Sequence, residues 1–144
     1  MPLSVTRSDV KRKCMVASSE TTYDSAIDAL IAEMLPAIEH SLDPQYLQDT
    51  SNAGLQAELR LGALELIAAE FLAQRAREPG FMEEVQVGGV RLGPAWERGR
   101  ALAEQGSTRL APYRRALGGA AQALAASRSP RPAPLLTHET LKEV

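Results

Sequence analysis

The chain has 144 residues, of which 44% are hydrophobic and 24% charged, and its formal net charge is −2. This length suits one domain with its own core, and the balance is that of a folded protein rather than a disordered one. The near-neutral charge argues against a nucleic-acid coat protein, and no uncharged apolar run approaches the roughly 20 residues of a membrane span. The basic N-terminal residues lack the apolar stretch of a signal peptide, so we expect a cytosolic protein.

The first predicted element is a short helix over about Arg7–Cys14, with Thr6 as its N-cap. The lone cysteine, Cys14, excludes an internal disulfide and any cysteine-based metal cluster. We expect it to act as a small, partly buried hydrophobe. Thr21 followed by Asp24 resembles a capping box for the next helix.

Two long amphipathic helices follow, over Tyr23–Leu42 and from Ala53 to about Arg77. Apolar residues recur at three- and four-residue spacings in both, which is the period of one helix face. Apolar residues also spread to other faces of the second helix, which predicts a central position for it. Residues 45–52 between them are expected to form a loop or a single helical turn. The side chains predicted to be buried together between the two helices are Leu30, Ile31, Leu59, Leu66, Ile67 and Phe71.

In the segment at about 81–94 the apolar residues alternate instead of following helical spacing, and the segment is predicted to be a β-hairpin. Four apolar residues at alternating positions, Val85, Val87, Val90 and Leu92, flank the pair Gly88-Gly89. Such a pair favours a two-residue turn, because both turn positions need a positive φ. An isolated hairpin is marginally stable in water, so these six residues are candidate partner-binding residues.

A further helix is predicted over Ala95–Leu117, with a bend or break at Gly106-Ser107 and a new turn at Pro112. Trp96 is interpreted as a core anchor of this helix in preference to an exposed contact residue.

The last segment, 127–144, is predicted to be an extended tail, because prolines at 130, 132 and 134 forbid helix and sheet. We expect it to dock on another protein, and its candidate contact residues are Arg128, Arg131, Leu135, Leu136 and Leu141. The chain is therefore predicted to be mostly α: a small helical bundle over 1–126 with an inserted β-hairpin, followed by an extended C-terminal tail.

Charge is distributed unevenly along the chain. Residues 21–70 carry nine acidic residues and one basic residue, whereas residues 101–144 carry six basic and three acidic residues. This asymmetry can direct opposite faces of a protein to different partners, although ordinary solvated helix faces explain it equally well.

No motif of catalysis or cofactor binding is present. The two histidines, His40 and His138, lie at a helix end and in the tail, outside any metal-ligand spacing. The glycine pairs lack the spacing and the lysine of a phosphate-binding loop. We therefore expect no catalytic, cofactor-binding or metal-binding residues, and a protein that is not an enzyme.

The order of these elements resembles that of a known protein family. A short first helix leads to "YDSAIDALIAEMLPAIEHSL", then to "LRLGALELIAAEFLAQ", the hairpin "EEVQVGGVRLG" and a helix that closes on "LAPYRRAL". Over about residues 5–117 this arrangement resembles the head–tail adaptor (head completion, connector) proteins of tailed bacteriophages and gene transfer agents. The residues at matching positions are Asp24, Ile27, Ile31, Ile38, Glu39, Gly88, Gly89, Leu110, Pro112, Tyr113 and Arg114.

The resemblance implies a homo-oligomeric ring, commonly of twelve protomers, in the virion neck after assembly in the host cytoplasm. Such a ring docks on the portal protein, meets a tail-stopper or tail-completion protein and extends the DNA channel without sequence-specific DNA binding or membrane contact. The alternative is a small helical regulator, an antitoxin-like or adaptor dimer. It accounts for the acidic middle of the chain, but not for the predicted hairpin.

Overall fold

The computed structural model describes residues 3–78 and 94–116, and the backbone of two strands at 85–87 and 90–92. This part of the chain is mostly helical, as predicted. Its helices are α1 (Arg7–Cys14), α2 (Asp24–Ser41), α3 (Pro44–Gln48), α4 (Ala53–Arg75) and α5 (Ala95–Leu110), and a 3₁₀ turn follows at Ala111–Tyr113. The predicted tail, 127–144, lies outside the described residues.

Helix α1 begins as the sequence predicts. The Thr6 hydroxyl accepts a hydrogen bond from the Asp9 backbone N–H, and the Asp9 carboxylate accepts one from the Thr6 backbone N–H, which completes a capping box. The helix ends at Cys14, and the next residue, Met15, has a φ of 59°, the left-handed conformation common after a last helical turn.

The predicted capping of α2 is wrong. The cap position is Tyr23, which makes no side-chain capping bond, and Thr21 contributes only a backbone carbonyl to a turn with Asp24. The Asp24 carboxylate instead pairs with Lys11 Nζ at 2.5 Å and with Arg7 Nη1 at 3.1 Å. Lys11 and Arg7 of α1 therefore bind Asp24, the residue that the sequence pattern placed in a capping box with Thr21.

Polar side chains mark the next two helix starts. Asp43 caps α3, the single short helix of the 45–52 region, by accepting a hydrogen bond from Gln45 N–H. Asn52 caps α4 by accepting one from Leu55 N–H at 3.1 Å. Helix α4 then runs for 23 residues and contacts α1, α2, α3 and α5, so its predicted central position is confirmed.

The closest helix packing joins α4 to α5, which run antiparallel. A Cβ added at Gly106 would lie 3.0 Å from the Gly62 carbonyl oxygen, and one added at Gly99 would lie 3.2 Å from the Ala69 carbonyl oxygen. Backbones approach this closely only where side chains are absent. The expected break at Gly106-Ser107 is therefore wrong, because Gly106 serves the packing of α5 onto α4 and the helix continues to Leu110.

The predicted core is correct for four of its six residues. Leu30, Leu59, Ile67 and Phe71 are buried, whereas Ile31 and Leu66 are only partly buried. The prediction placed this core between α2 and α4 alone, but α1 and α5 also contribute to it. The added buried residues from these two helices are Val10, Cys14, Ala95 and Leu110.

The end of α5 is fastened to the end of α2. Pro112 opens the 3₁₀ turn there, as predicted, and the Tyr113 carbonyl accepts a hydrogen bond from Asp43 N–H at 2.8 Å. Arg115 N–H donates to the Ser41 carbonyl at 2.9 Å. The described chain therefore leaves the domain beside the C-terminal end of α2.

Two three-residue strands, β1 (Val85–Val87) and β2 (Val90–Leu92), pair antiparallel with Val85 opposite Leu92. Only their backbone is described, and Gly88 and Gly89 lie outside the described residues. The hairpin as an inserted element with a Gly-Gly turn therefore stays a prediction.

Candidate docking surface

Trp96 is not a core anchor, and that prediction is wrong. Its side chain is 51% exposed, although Ala95 beside it is 1% exposed. Ala95 and Gly99, four residues apart, form the face of α5 that packs against α4, and the helices lie too close there for an indole. Trp96 lies about 100° further around the helix and so projects beside the contact.

A shallow apolar groove lies beneath Trp96. It has a volume of about 380 Å³ and runs along the line where α4 and α5 meet, with α2 at its far side. Its apolar lining residues are Met34, Leu66, Ala69, Ala73, Trp96, Gly99 and Ala103. We call this surface the Trp96 groove. An exposed tryptophan beside small apolar residues is typical of protein-binding surfaces.

The charges around the Trp96 groove are mainly acidic. Glu70 and Arg100 line the groove itself, and a second hollow of about 310 Å³ on the other side of Trp96 adds Glu97 and Glu104. Arg100 Nε pairs with Glu104 Oε1 at 3.3 Å. Three carboxylates and one guanidinium thus surround the indole, which favours an occupant that is apolar and positively charged.

A larger hollow of about 600 Å³ lies at the other end of α5, and its charged groups pair with one another. Arg109 donates to both carboxylate oxygens of Glu65, at 3.1 and 3.2 Å, and the Tyr113 hydroxyl donates to Glu58 at 3.1 Å. The hydrogen bond to Glu58 raises the pKa of Tyr113, and the hydrogen bond to Glu65 raises the pKa of Arg109. These bonds fasten α5 to α4 and leave this hollow a weaker candidate than the Trp96 groove.

Much of the uneven charge along the chain is neutralised within the fold. Arg7 forms a bidentate pair with Asp28 and also reaches Asp24, which joins basic α1 to acidic α2. Glu65, 1% exposed, lies between Arg109 of α5 and Lys13 of α1. Asp24, Asp28 and Glu65, from the acidic middle of the chain, therefore hold neighbouring helices together.

Cys14 is buried, as a small hydrophobe should be. Its Sγ–H donates to the Ala68 carbonyl at 3.6 Å, and burial raises the pKa of the thiol to about 12. A thiol in this state is a poor nucleophile and a poor metal ligand. Within the described ranges, no group of three or more His, Cys, Asp or Glu side chains is arranged to hold a metal ion.

The predicted contact residues fall into two groups. The backbones of Val85, Val87, Val90 and Leu92 lie in the paired strands. Gly88 and Gly89, and the tail residues Arg128, Arg131, Leu135, Leu136 and Leu141, lie outside the described residues. The Trp96 groove was missed by sequence reasoning. Small residues at 95, 99 and 106 on one face of α5 were the signal that could have placed Trp96 outside the core.

Comparison of the chain with models of known protein families, with curated proteins and with solved structures finds no match. None of the helices in the described ranges has the length and apolar character that a membrane span requires.

Proposed function

We propose that this chain is the protomer of a head–tail adaptor ring, a structural virion protein that docks on a portal and connects a capsid to a tail. The observation that carries the proposal is the Trp96 groove, an apolar surface on the closely packed helices α4 and α5. Assembly on other proteins, rather than chemistry, is the activity that such a surface supports.

The order of elements supports the choice of an adaptor among protein-binding proteins. A short capped helix, an amphipathic helix, the short helix α3, a long central helix, a pair of short strands and a helix that ends at Leu110 before the turn Ala111–Tyr113 follow one another. Apart from α3, this is the order that the sequence resemblance to adaptor proteins implies.

A ring also has physical requirements. Each protomer of a ring contacts its two neighbours through two different surfaces. The ring closes when a whole number of the rotations that relate neighbouring protomers makes one full turn. The Trp96 groove offers one such surface, and the strand segment 85–92 offers a second, because two short strands alone are marginally stable in water. In the proposed ring, DNA passes through the central channel without sequence-specific contact, and the assembled ring lies in the virion neck.

The genome that carries this gene gives the first test. An adaptor gene should lie beside portal, protease and capsid genes. Deleting it should leave DNA-filled capsids without attached tails, and supplying the intact gene on a plasmid should restore tailed particles. Tailed, infectious particles from the deletion strain would rule out the adaptor role. A neighbouring toxin gene would favour the dimeric regulator instead.

A further inference from the structure

The Trp96 groove calls for an occupant that combines flat apolar surface with positive charge. The chain contains one tryptophan, and its indole is half-exposed between two hollows. Proline-rich segments bind to surfaces of this type, because an extended polyproline helix presents rigid rings that pack on an indole face at low entropic cost.

This chain contains a segment of that composition. Residues 128–136 read RSPRPAPLL, with three prolines at alternate positions followed by two leucines. The prolines suit the indole face, and the leucine pair suits the apolar groove lined by Ala69, Ala73 and Leu66.

The charges of the segment and the groove are opposite. Residues 117–138 contain two arginines, Arg128 and Arg131, and no acidic residue. The surroundings of Trp96 carry three carboxylates against one guanidinium; that guanidinium pairs with Glu104, which leaves Glu70 and Glu97 to attract the arginines. Opposite charges at the edge of an apolar contact fix its register and direction.

The chain is long enough for its own segment to reach the groove. Trp96 and Leu110 lie at opposite ends of the 16-residue helix α5, which is roughly 24 Å long at 1.5 Å per residue, and the described chain continues from Leu110 to residue 116. The 11 residues from 117 to 127 span up to roughly 36 Å when extended.

We propose that residues 128–136 of each chain bind in the Trp96 groove of the same chain, with the prolines on the indole and Leu135-Leu136 in the groove. This inference does not rest on the adaptor function. Its consequence is that the segment covers the docking surface of the free protein, so that a partner must displace it to bind there.

Acrylamide quenching of Trp96 fluorescence in the full-length protein tests the proposal. Replacing Leu135 and Leu136 with Ser should raise the quenching constant on the order of twofold, because docking covers an indole that is otherwise half-exposed. Leu124→Ser, in the linker 117–127 and outside the segment, is the matched control and should leave the quenching constant unchanged. Far-UV circular dichroism checks that all variants keep their helix content. An equal quenching constant in the wild type and the double variant overturns the proposal.

Two further measurements identify the occupant. A synthetic peptide of residues 127–144 should protect Trp96 in the double variant, and a scrambled peptide should not; equal protection by both peptides would overturn the assignment to this segment. Dilution of the wild type over a hundredfold range should leave quenching unchanged. Quenching that rises on dilution would show that a second copy supplies the segment and would contradict the intramolecular contact.

Discussion

Leu110 of α5 lies so close to Gly62 of α4 that a methyl group at position 62 would come within 2.6 Å of the Leu110 Cγ atom. Leu110 is fully buried, so it has little room to move away. This contact packs α4 against α5 at the end of α5 opposite to Trp96.

Gly62→Ala should therefore destabilise the protein by about 1–3 kcal/mol through overpacking, although alanine is the better helix former. Gly54→Ala, in the first turn of the same helix, is the matched control. A Cβ at position 54 would meet only Asn52 Oδ1 at 3.7 Å, so that variant should be neutral or slightly more stable. Urea unfolding compares the two. Equal effects would show that the helices are not in close contact at Gly62.

Neighbouring residues 66 and 67 should differ sharply in their contribution to stability. Ile67 is fully buried, and Ile67→Ala should cost about 2–5 kcal/mol. Leu66 is partly buried at the edge of the groove, so Leu66→Ala should cost clearly less. The free energies of unfolding decide this point. A larger loss at Leu66 would mean that the groove is closed in solution.

Asp9 should make stability depend on pH in the acidic range. Burial alone favours its protonated form, but hydrogen bonds from Thr6 and pairing with Arg60 outweigh burial and lower its pKa. Its contribution is therefore present above the ordinary carboxyl pKa and is lost as pH falls through the lower folded value. Asp9→Asn should cost about 1–3 kcal/mol at pH 7, and the difference from wild type should shrink towards pH 3. Glu33→Gln, at an exposed position of α2, is the control. A pH-independent difference would contradict this account.

Cys14 should resist thiol reagents at pH 8 in the folded protein and react at once in urea, because the thiol is buried and its pKa is raised to about 12. A pKa raised on folding adds stability below the unfolded value near 9, and this stability is lost as pH rises towards 12. As pH rises from about 9 to about 12, the free energy of unfolding of the wild type should therefore fall more steeply than that of Cys14→Ala. Rapid reaction of Cys14 with the thiol reagent in the native protein would contradict this prediction and would show that α1 separates from α4.

The helices could be predicted from the sequence because their signals are local. Thr6 and Asp9 form a capping box three residues apart, and the apolar spacing from Ile27 to Ile38 is that of one helix face. The position of Trp96 could not be predicted in this way. It depends on how closely α5 approaches α4, which is set by pairs of residues far apart in the sequence, such as Gly99 opposite Ala69 and Gly106 opposite Gly62. The pairing of Arg109 with Glu65 is equally non-local.

Electron microscopy of the full-length protein mixed with a portal protein from the genome that carries this gene tests the proposed adaptor ring. We expect closed rings with rotational symmetry seated on the portal. The Gly88→Val/Gly89→Val variant should keep its helix content but form no rings, because the predicted turn requires positive φ, which β-branched residues resist. A protein that stays a free monomer or dimer in the presence of the portal would contradict the adaptor role.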